Sequence, residues 1–424
     1  MSLKIKRKKA LLLAIGTRGD IEPFLAIGEI LDFSGFEVIY SFPIQFSKLV
    51  PSDAPFYPLS SRVIDLIEGK EGKIVMGKAN IFQKIKALIY LYREGKKVNK
   101  ELVLSQLDVF KLEDPDLVVH HGKCSFPILW HLKNKNESLI ISPVPYFIHE
   151  VKGSSHLGFK INMGDFLNGL TYKLANYGLA KTVFDAQKHL PQDFNFSLQE
   201  IKEAIISNKI GYSFSSALIT RPTSWLDGAQ VLGFSGHHNS LSGWLPSEDL
   251  IDFIENHEKI LFLTFGSMVN QFPEEISKFF YKILDELKIP TIVNQASGGL
   301  IPIEEYQKNE NFIFVDSIPY SWILERIYCI IHHGGSGTTH FGLQYACPTM
   351  IIPHIIDQYI WNDLIFEKKL GPKGISVNDL PSKNLKDKIV DLYKNEEFKE
   401  NAVSYSLDMK LEDFKSNFLS FLRS

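Results

Sequence analysis

Two histidines and a run of glycines close an apolar stretch: Ile330-Ile331-His332-His333-Gly334-Gly335-Ser336-Gly337-Thr338-Thr339. The segment from Tyr328 to Ile331 reads as a buried strand, and Thr338 to Tyr345 as the first turns of a helix. A strand, a glycine turn and a helix N-terminus present free backbone N–H groups and the positive end of the helix dipole to a phosphate. Glycines let the backbone approach closely, and a histidine just before the turn adds a side-chain donor. A tight turn without a ligand fits the same pattern. The other reactive residues have to decide.

Asp20 ends the stretch Gly16-Thr17-Arg18-Gly19-Asp20, between an apolar run and a helical pattern. A carboxylate there can take a proton from a hydroxyl within hydrogen-bond reach. Equally, an Asp before Ile21-Glu22-Pro23 is a good N-cap. Asp357-Gln358 follows the apolar run Thr349–Ile352 and a turn at Pro353. A carboxylate beside an amide offers the mixture of acceptors and donors that neighbouring sugar hydroxyls need. The alternative is again a cap, with Asp357 leading into a helix over Tyr359–Lys368.

Other chemistries fit less well. The spacings Gly16-x-x-Gly19 and Gly335-x-Gly337 do not make a dinucleotide fingerprint, and no Walker lysine follows a glycine run. Histidines pair at His120-His121, His237-His238 and His332-His333. Neighbours on a strand point to opposite faces, so such a pair does not easily share an ion. No metal site is expected.

These residues need elements to hold them. With 424 residues there is room for roughly two or three domains. The net charge of -3 argues against a nucleic-acid binder. Cys124, Cys329 and Cys347 are too scattered for a disulfide framework, so a reducing cytoplasm is expected. Lys4 to Lys9 is basic, but the apolar run Ala10–Ile15 is short for a signal peptide and reads as a first strand. No run of about 18 apolar residues is present.

Strand-like and helix-like segments alternate throughout, which predicts parallel α/β sheets. In the first half the strands are Ala10–Ile15, Glu37–Phe42, Asp116–His120, Leu139–Ser142 and Ala217–Thr220. Helices are expected at Ile21–Phe33, Cys124–Leu132 and Met163–Leu190, the last with Phe166, Leu170, Leu174, Tyr177 and Phe184 at helical spacing. Residues 226–246 read as a linker, with a short strand at Ala229–Leu232. The second half restarts with strands at Ile260–Thr264, Thr291–Asn294, Phe312–Val315, Tyr328–Ile331 and Thr349–Ile352, and a helix at Pro273–Leu287. The expected architecture is therefore two Rossmann-like domains, 1–225 and 247–424. Ligands sit at the carboxyl ends of parallel strands, so the glycine-bearing strand ends of both domains are expected to line an interdomain cleft.

Taken together, the residues resemble the family 1 glycosyltransferases of the GT-B fold. They are most similar to the branch of sterol glucosyltransferases and of enzymes that glycosylate antibiotic aglycones. The resemblance rests on Gly16-Thr17-Arg18-Gly19-Asp20-Ile21-Glu22-Pro23-Phe24, on Phe265-Gly266-Ser267-Met268, and on His332 through Gly342. It continues in Pro348-Thr349, Pro353, Asp357-Gln358 and Leu370-Gly371-Pro372. It implies an inverting, metal-independent transfer of a hexose, usually from UDP-glucose, to a hydroxyl of a lipophilic acceptor such as a sterol, terpenoid or polyketide-like aglycone. The nucleotide sugar is then a co-substrate, and no further cofactor is implied. The N-terminal domain would bind the acceptor and the C-terminal domain the donor, with the last helix packing back on the N-terminal domain.

Residue by residue, the resemblance makes Asp20 the general base, with Arg18 in the same loop. His333, Gly335, Ser336, Gly337 and Thr338 would hold the diphosphate, which Ser267 approaches. Asp357 and Gln358 would bind the sugar hydroxyls, and the main chain of Ile318 would read the base. The chain departs from the plant-type pattern at Phe341, where a glutamate for the ribose is usual, and lacks a tryptophan near Ser317. A thymidine-diphospho sugar therefore stays open as donor. A nucleotide-sugar epimerase or an inactive binding protein on the same fold are the alternatives.

Acceptor-binding residues are expected among Phe126, Trp130, Tyr146 and His149. Ile81, Phe82, Ile85, Leu88, Ile89 and Tyr92 share a helical face beside Lys84, Lys86, Arg93, Lys96 and Lys97. This describes either an ordinary helix lying over the sheet or a peripheral contact with the inner membrane face.

Overall fold

The computed structural model describes residues 7–76, 80–135, 138–159, 162–236, 243–268, 270 and 272–424. The pair His237-His238 lies outside them. The chain forms two compact units, Met1–His237 with Asp413–Ser424, and His238–Glu412.

In the first unit the elements run β1 (Lys9–Leu13), α1 (Arg18–Phe33), β2 (Glu37–Ser41), α2 (Arg62–Glu68), α3 (Lys70–Met76), α4 (Ile81–Glu113), β3 (Leu117–His121), α5 (Phe126–Asn134), β4 (Ser138–Ser142), α6 (Asp165–Gln187), α7 (Leu198–Ser207), β5 (Lys209–Tyr212) and β6 (Ala229–Val231). The six strands form one parallel sheet in the order β2-β1-β3-β4-β5-β6. Strands such as Leu117-Val118-Val119 are buried along their whole length, as expected of a parallel sheet covered on both faces.

The second unit continues with α8 (Glu248–Glu255), β7 (Leu261–Thr264), α9 (Pro273–Glu286), β8 (Thr291–Asn294), α10 (Glu304–Gln307), β9 (Phe312–Val315), α11 (Tyr320–Ile323), β10 (Cys329–His332), α12 (Ser336–Gln344), β11 (Thr349–Ile351), α13 (Asp357–Glu367), α14 (Leu385–Lys394) and α15 (Glu396–Lys410). Its five parallel strands are ordered β11-β10-β7-β8-β9. The last helix, α16 (Phe414–Arg423), belongs to the first unit, where Phe414, Phe418 and Phe421 join the core built on Ile27, Leu31 and Val38.

Each strand order reverses direction once. In the first sheet the chain leaves β1 for β2 on one side and returns to β3 on the other. In the second, β7, β8 and β9 run outward and β10 returns beside β7. Crevices open at the carboxyl ends of strands at such reversals. The loops after β1 and β3, and those after β7 and β10, are therefore the positions the topology reserves for ligands.

Four local expectations are corrected. Helix α1 begins at Arg18 rather than Ile21, with Thr17 as N-cap and Asp20 at the third helical position, where the two make a capping box. Ala217–Thr220 is not a strand: Ser215 draws Ala217 N–H to its hydroxyl at 3.1 Å, and its carbonyl accepts from Leu218 and Ile219 N–H at 3.2 Å, so the chain turns. The strand that was not expected is β5, Lys209–Tyr212, paired with β4, whereas the short strand expected at Ala229–Leu232 is present as β6.

The fourth correction concerns α6, whose periodicity was legible but whose inward face was not. Phe166, Leu170, Leu174 and Tyr177 are exposed. The buried side carries Asn168, Thr171 and Asn176, which bond Met163 N–H at 3.0 Å, His156 N–H at 2.8 Å and Ile148 C=O at 3.1 Å. The irregular chain between β4 and α6 has unpaired backbone groups, and a polar helix face satisfies them. Among the described residues no helix is long and apolar enough to cross a membrane.

Candidate active site

At the reversal of the first sheet, the loop after β1 meets the end of β3. Asp20 Oδ2 accepts from Thr17 N–H at 2.8 Å and lies 3.2 Å from the Thr17 hydroxyl. Its other oxygen, Oδ1, lies 3.2 Å from Lys123 Nζ and 3.3 Å from His121 Nε2. Lys123 N–H points at His121 Nδ1 at 3.4 Å, which leaves the ring proton on Nε2, directed at the carboxylate. Phe147 stacks on the His121 ring, 6.4 Å between centroids. A side chain at Gly16 would strike the Asp20 carboxylate, so the loop needs glycine there, where φ is +144°.

Burial by itself raises the Asp20 pKa. The Lys123 charge, His121 and the Thr17 N–H outweigh it and hold the carboxyl below its ordinary value. His121 is buried and neutral, its pKa pushed down to about 3 by burial first and then by Lys123. Asp20 is thus an ionised carboxylate at neutral pH, with a lysine as its most exposed partner. Arg18, on the same turn, pairs with Glu22 at 2.7 Å.

In the second unit, the loops after β7 and β10 carry the glycine turn. His333 is buried between two glycines: a methyl group built on Gly266 would lie 2.7 Å from its Cε1, and one on Gly335 2.5 Å from its Nε2. Its Nδ1 is buried and has no hydrogen-bond partner among the described residues, and the same holds for His332 Nε2. Burial keeps both rings neutral, His332 with a pKa near 3 and His333 well below the ordinary value. Gly335 is the N-cap of α12, so Ser336, Gly337 and Thr338 form its first turn with their N–H groups at the positive end of the dipole. Thr339 and His340 side chains bond back to Gly335 C=O and Ser336 C=O at 2.9 and 2.7 Å, which fixes that turn. Ser267 lies in the turn after β7, and Ile318 is buried just before α11.

Asp357 and Gln358 open α13 beside this turn, and the Gln358 Cβ is 3.1 Å from where a Gly334 side chain would begin. The Gln358 carbonyl oxygen is already engaged, accepting from His354 N–H at 2.7 Å and Ile355 N–H at 3.0 Å. The loop before it is strained, because Ile356, a β-branched residue, takes φ +23°. A buried network ties this loop to the one after β7: His354 Nε2 lies 2.6 Å from Asn270 Oδ1, and Asn270 Nδ2 donates to Gly299 C=O at 2.6 Å.

Of the expected acceptor residues, Phe126 and Trp130 belong to the core. They meet the Phe110 ring edge to face, at 4.8 and 5.3 Å between centroids, and are nearly fully buried, because α5 packs its apolar side against α4. Tyr146 is buried with φ +57°. The His149 ring bonds Tyr212 OH at 3.0 Å. The sequence reading missed His121, Lys123, Asn270 and His354. His121 and Lys123 follow β3, and the sheet order alone would have placed them beside the loop after β1.

Residues 306–413 match the family described as the C-terminal domain of erythromycin biosynthesis protein CIII-like proteins. A sterol 3-beta-glucosyltransferase of Arabidopsis thaliana is 26% identical over 431 residues, 95% of this chain and 63% of the relative. A second from the same plant is 27% identical over 91% of this chain and again 63% of its own length. The chain therefore spans less than two thirds of these curated relatives. Among solved structures, the glycotransferase of kitacinnamycin superposes with a TM-score of 0.68 at 12% identity, covering 98% of both chains. The glycosyltransferase VinC, solved in complex with dTDP, gives 0.64 at 14% identity over 98% of both chains. The class is thus a GT-B-type α/β protein with two parallel sheets. Within it, the chain is similar in sequence to sterol 3-beta-glucosyltransferases, and over residues 306–413 to the erythromycin biosynthesis protein CIII-like C-terminal domain.

Proposed function

We propose that the protein transfers a hexose from a nucleoside-diphosphate sugar, with UDP-glucose the first choice, to a hydroxyl of a lipophilic acceptor, inverting the anomeric carbon. His333 carries the donor side of this reading: a buried ring with an unpartnered nitrogen, held between two glycines at a helix N-terminus. An anion at this turn would meet the backbone N–H groups of the first turn of α12 and the positive end of the helix. The sterol and antibiotic relatives support the acceptor class.

In the reaction the acceptor oxygen attacks the anomeric carbon as its proton passes to Asp20 Oδ1, and the bond to the diphosphate breaks with the electron pair leaving on the phosphate oxygen. Lys123 yields its place on Oδ1 to the acceptor hydroxyl. Charge gathered on the leaving diphosphate is stabilised by His333 and the α12 N-terminus, which are fixed before the reaction begins. In this reading Asp357 orients the sugar hydroxyls, while the engaged carbonyl of Gln358 leaves its amide N–H groups for the same task.

Calorimetric titration with UDP-glucose and dTDP-glucose tests the donor half. Binding of one of them, lost in His333→Ala and kept in Asp20→Asn, is the expected result. If neither binds the wild-type chain, the reading fails.

A further inference from the structure

Helix α4 turns an apolar face outward. At about 100° per residue, Phe82, Ile85, Leu88, Ile89 and Tyr92 fall within about a third of the circumference. All five are exposed, Phe82 by 81% and Tyr92 by 64%. The buried positions of the same stretch, Ala87 at 3% and Val98 at 2%, lie on the opposite side. A helix lying over its own sheet shows the reverse arrangement, so the ordinary reading of this segment does not hold.

Cations border the apolar arc. Lys86, Arg93 and Lys97 follow one edge and Lys84 stands beyond the other, while Lys96 lies over the Tyr92 ring at 4.5 Å. Glu94, the acid of the segment, is set apart from the arc, 2.6 Å from Lys97 and 3.5 Å from Arg62. Lysine is depleted at the centres of protein interfaces. Its long stem instead lets the charge reach a polar boundary while the methylenes stay on apolar ground.

We propose that the first half of α4 docks on an anionic phospholipid surface. The helix lies in the plane of the interface with Phe82, Ile85, Leu88, Ile89 and Tyr92 among the acyl chains. Lys84, Lys86, Arg93, Lys96 and Lys97 then stand at the level of the phosphates. This goes beyond sugar transfer and does not depend on it, and it would set the protein where a lipophilic acceptor dissolves.

The test is co-sedimentation of the full chain with phosphatidylcholine vesicles and with equimolar phosphatidylcholine–phosphatidylglycerol vesicles, at low and physiological salt. Binding to the anionic vesicles alone, weakened by salt, is expected. Ile85→Ser with Ile89→Ser should abolish it, and Lys86→Glu or Arg93→Glu should each weaken it at least about fivefold. These positions are exposed, and far-ultraviolet circular dichroism checks that the fold is kept. Leu170→Ser with Leu174→Ser, on the exposed face of α6, should leave binding unchanged. Equal binding to both vesicle types would overturn the proposal, as would loss in the α6 variant with retention in the α4 variants. So would a concentration-dependent dimer of the wild type that the α4 serine variant abolishes, since a second copy would then be the occupant.

Discussion

Lys123 Nζ stands 3.2 Å from Asp20 Oδ1, where β1 and β3 lie side by side and the strand order reverses. The lysine helps keep the carboxyl ionised against the burial that would raise its pKa. Removing it, as in Lys123→Ala, takes away a lowering influence, so the Asp20 pKa rises. The acid limb of the kcat/KM profile should then move to higher pH while the alkaline limb stays. An unmoved acid limb would show that Lys123 does not act on the group that titrates in turnover.

Gly335 takes φ -62° and ψ 141°, which alanine adopts without strain. The added methyl group, 2.5 Å from His333 Nε2, must push the ring. Gly335→Ala should therefore cost about 1–3 kcal/mol of stability through the displaced ring and lose roughly 10- to 100-fold in affinity for the donor. Isothermal calorimetry with the nucleoside-diphosphate sugar and a melting curve separate the two effects.

Gln358→Ala would leave the N–H groups of His354 and Ile355 without their acceptor. A loss of about 1–3 kcal/mol of stability is expected, read as a lower urea midpoint in the absence of any substrate. A variant as stable as wild type would mean that the side chain serves the ligand alone.

The protein should lose stability in mild acid. His120, His121, His149, His332, His340 and His354 are held at pKa values of about 3 to 4, chiefly by burial, and His333 well below 6.5. Unfolded, they would take up protons near pH 6.5. The unfolded state therefore binds more protons as the pH falls below 6.5, and each ring removes up to about 1.4 kcal/mol per pH unit until its folded pKa is reached. Urea midpoints compared at pH 7.5 and 5.5 should fall steeply, with the stability fully present above pH 6.5. A flat profile would contradict the buried neutral rings.

The strands of the second unit were legible within a residue or two, because short apolar runs bounded by glycine, proline or polar residues leave little choice. Which side of α6 faces inward was not. Periodicity marks an apolar face, but only the unpaired backbone groups of the chain before it made the polar face the buried one. Asp20 and the His333 turn announced themselves by residue type. Their partners did not, since His121 and Lys123 lie 101 and 103 residues from Asp20 along the chain and meet it through strand order alone. The strain at Ile356 had no local signal, as nothing in Ile355-Ile356-Asp357 calls for a positive φ.

The most direct measurement of the central claim is release of nucleoside diphosphate from UDP-glucose across a panel of sterols and other hydrophobic alcohols. It should be run with the wild type and Asp20→Asn. Acceptor-dependent release is expected from the wild type, with glycoside formed in equal amount, and a drop of roughly 100- to 10,000-fold in the variant. Full activity in Asp20→Asn, or donor turnover that no acceptor changes, would contradict it.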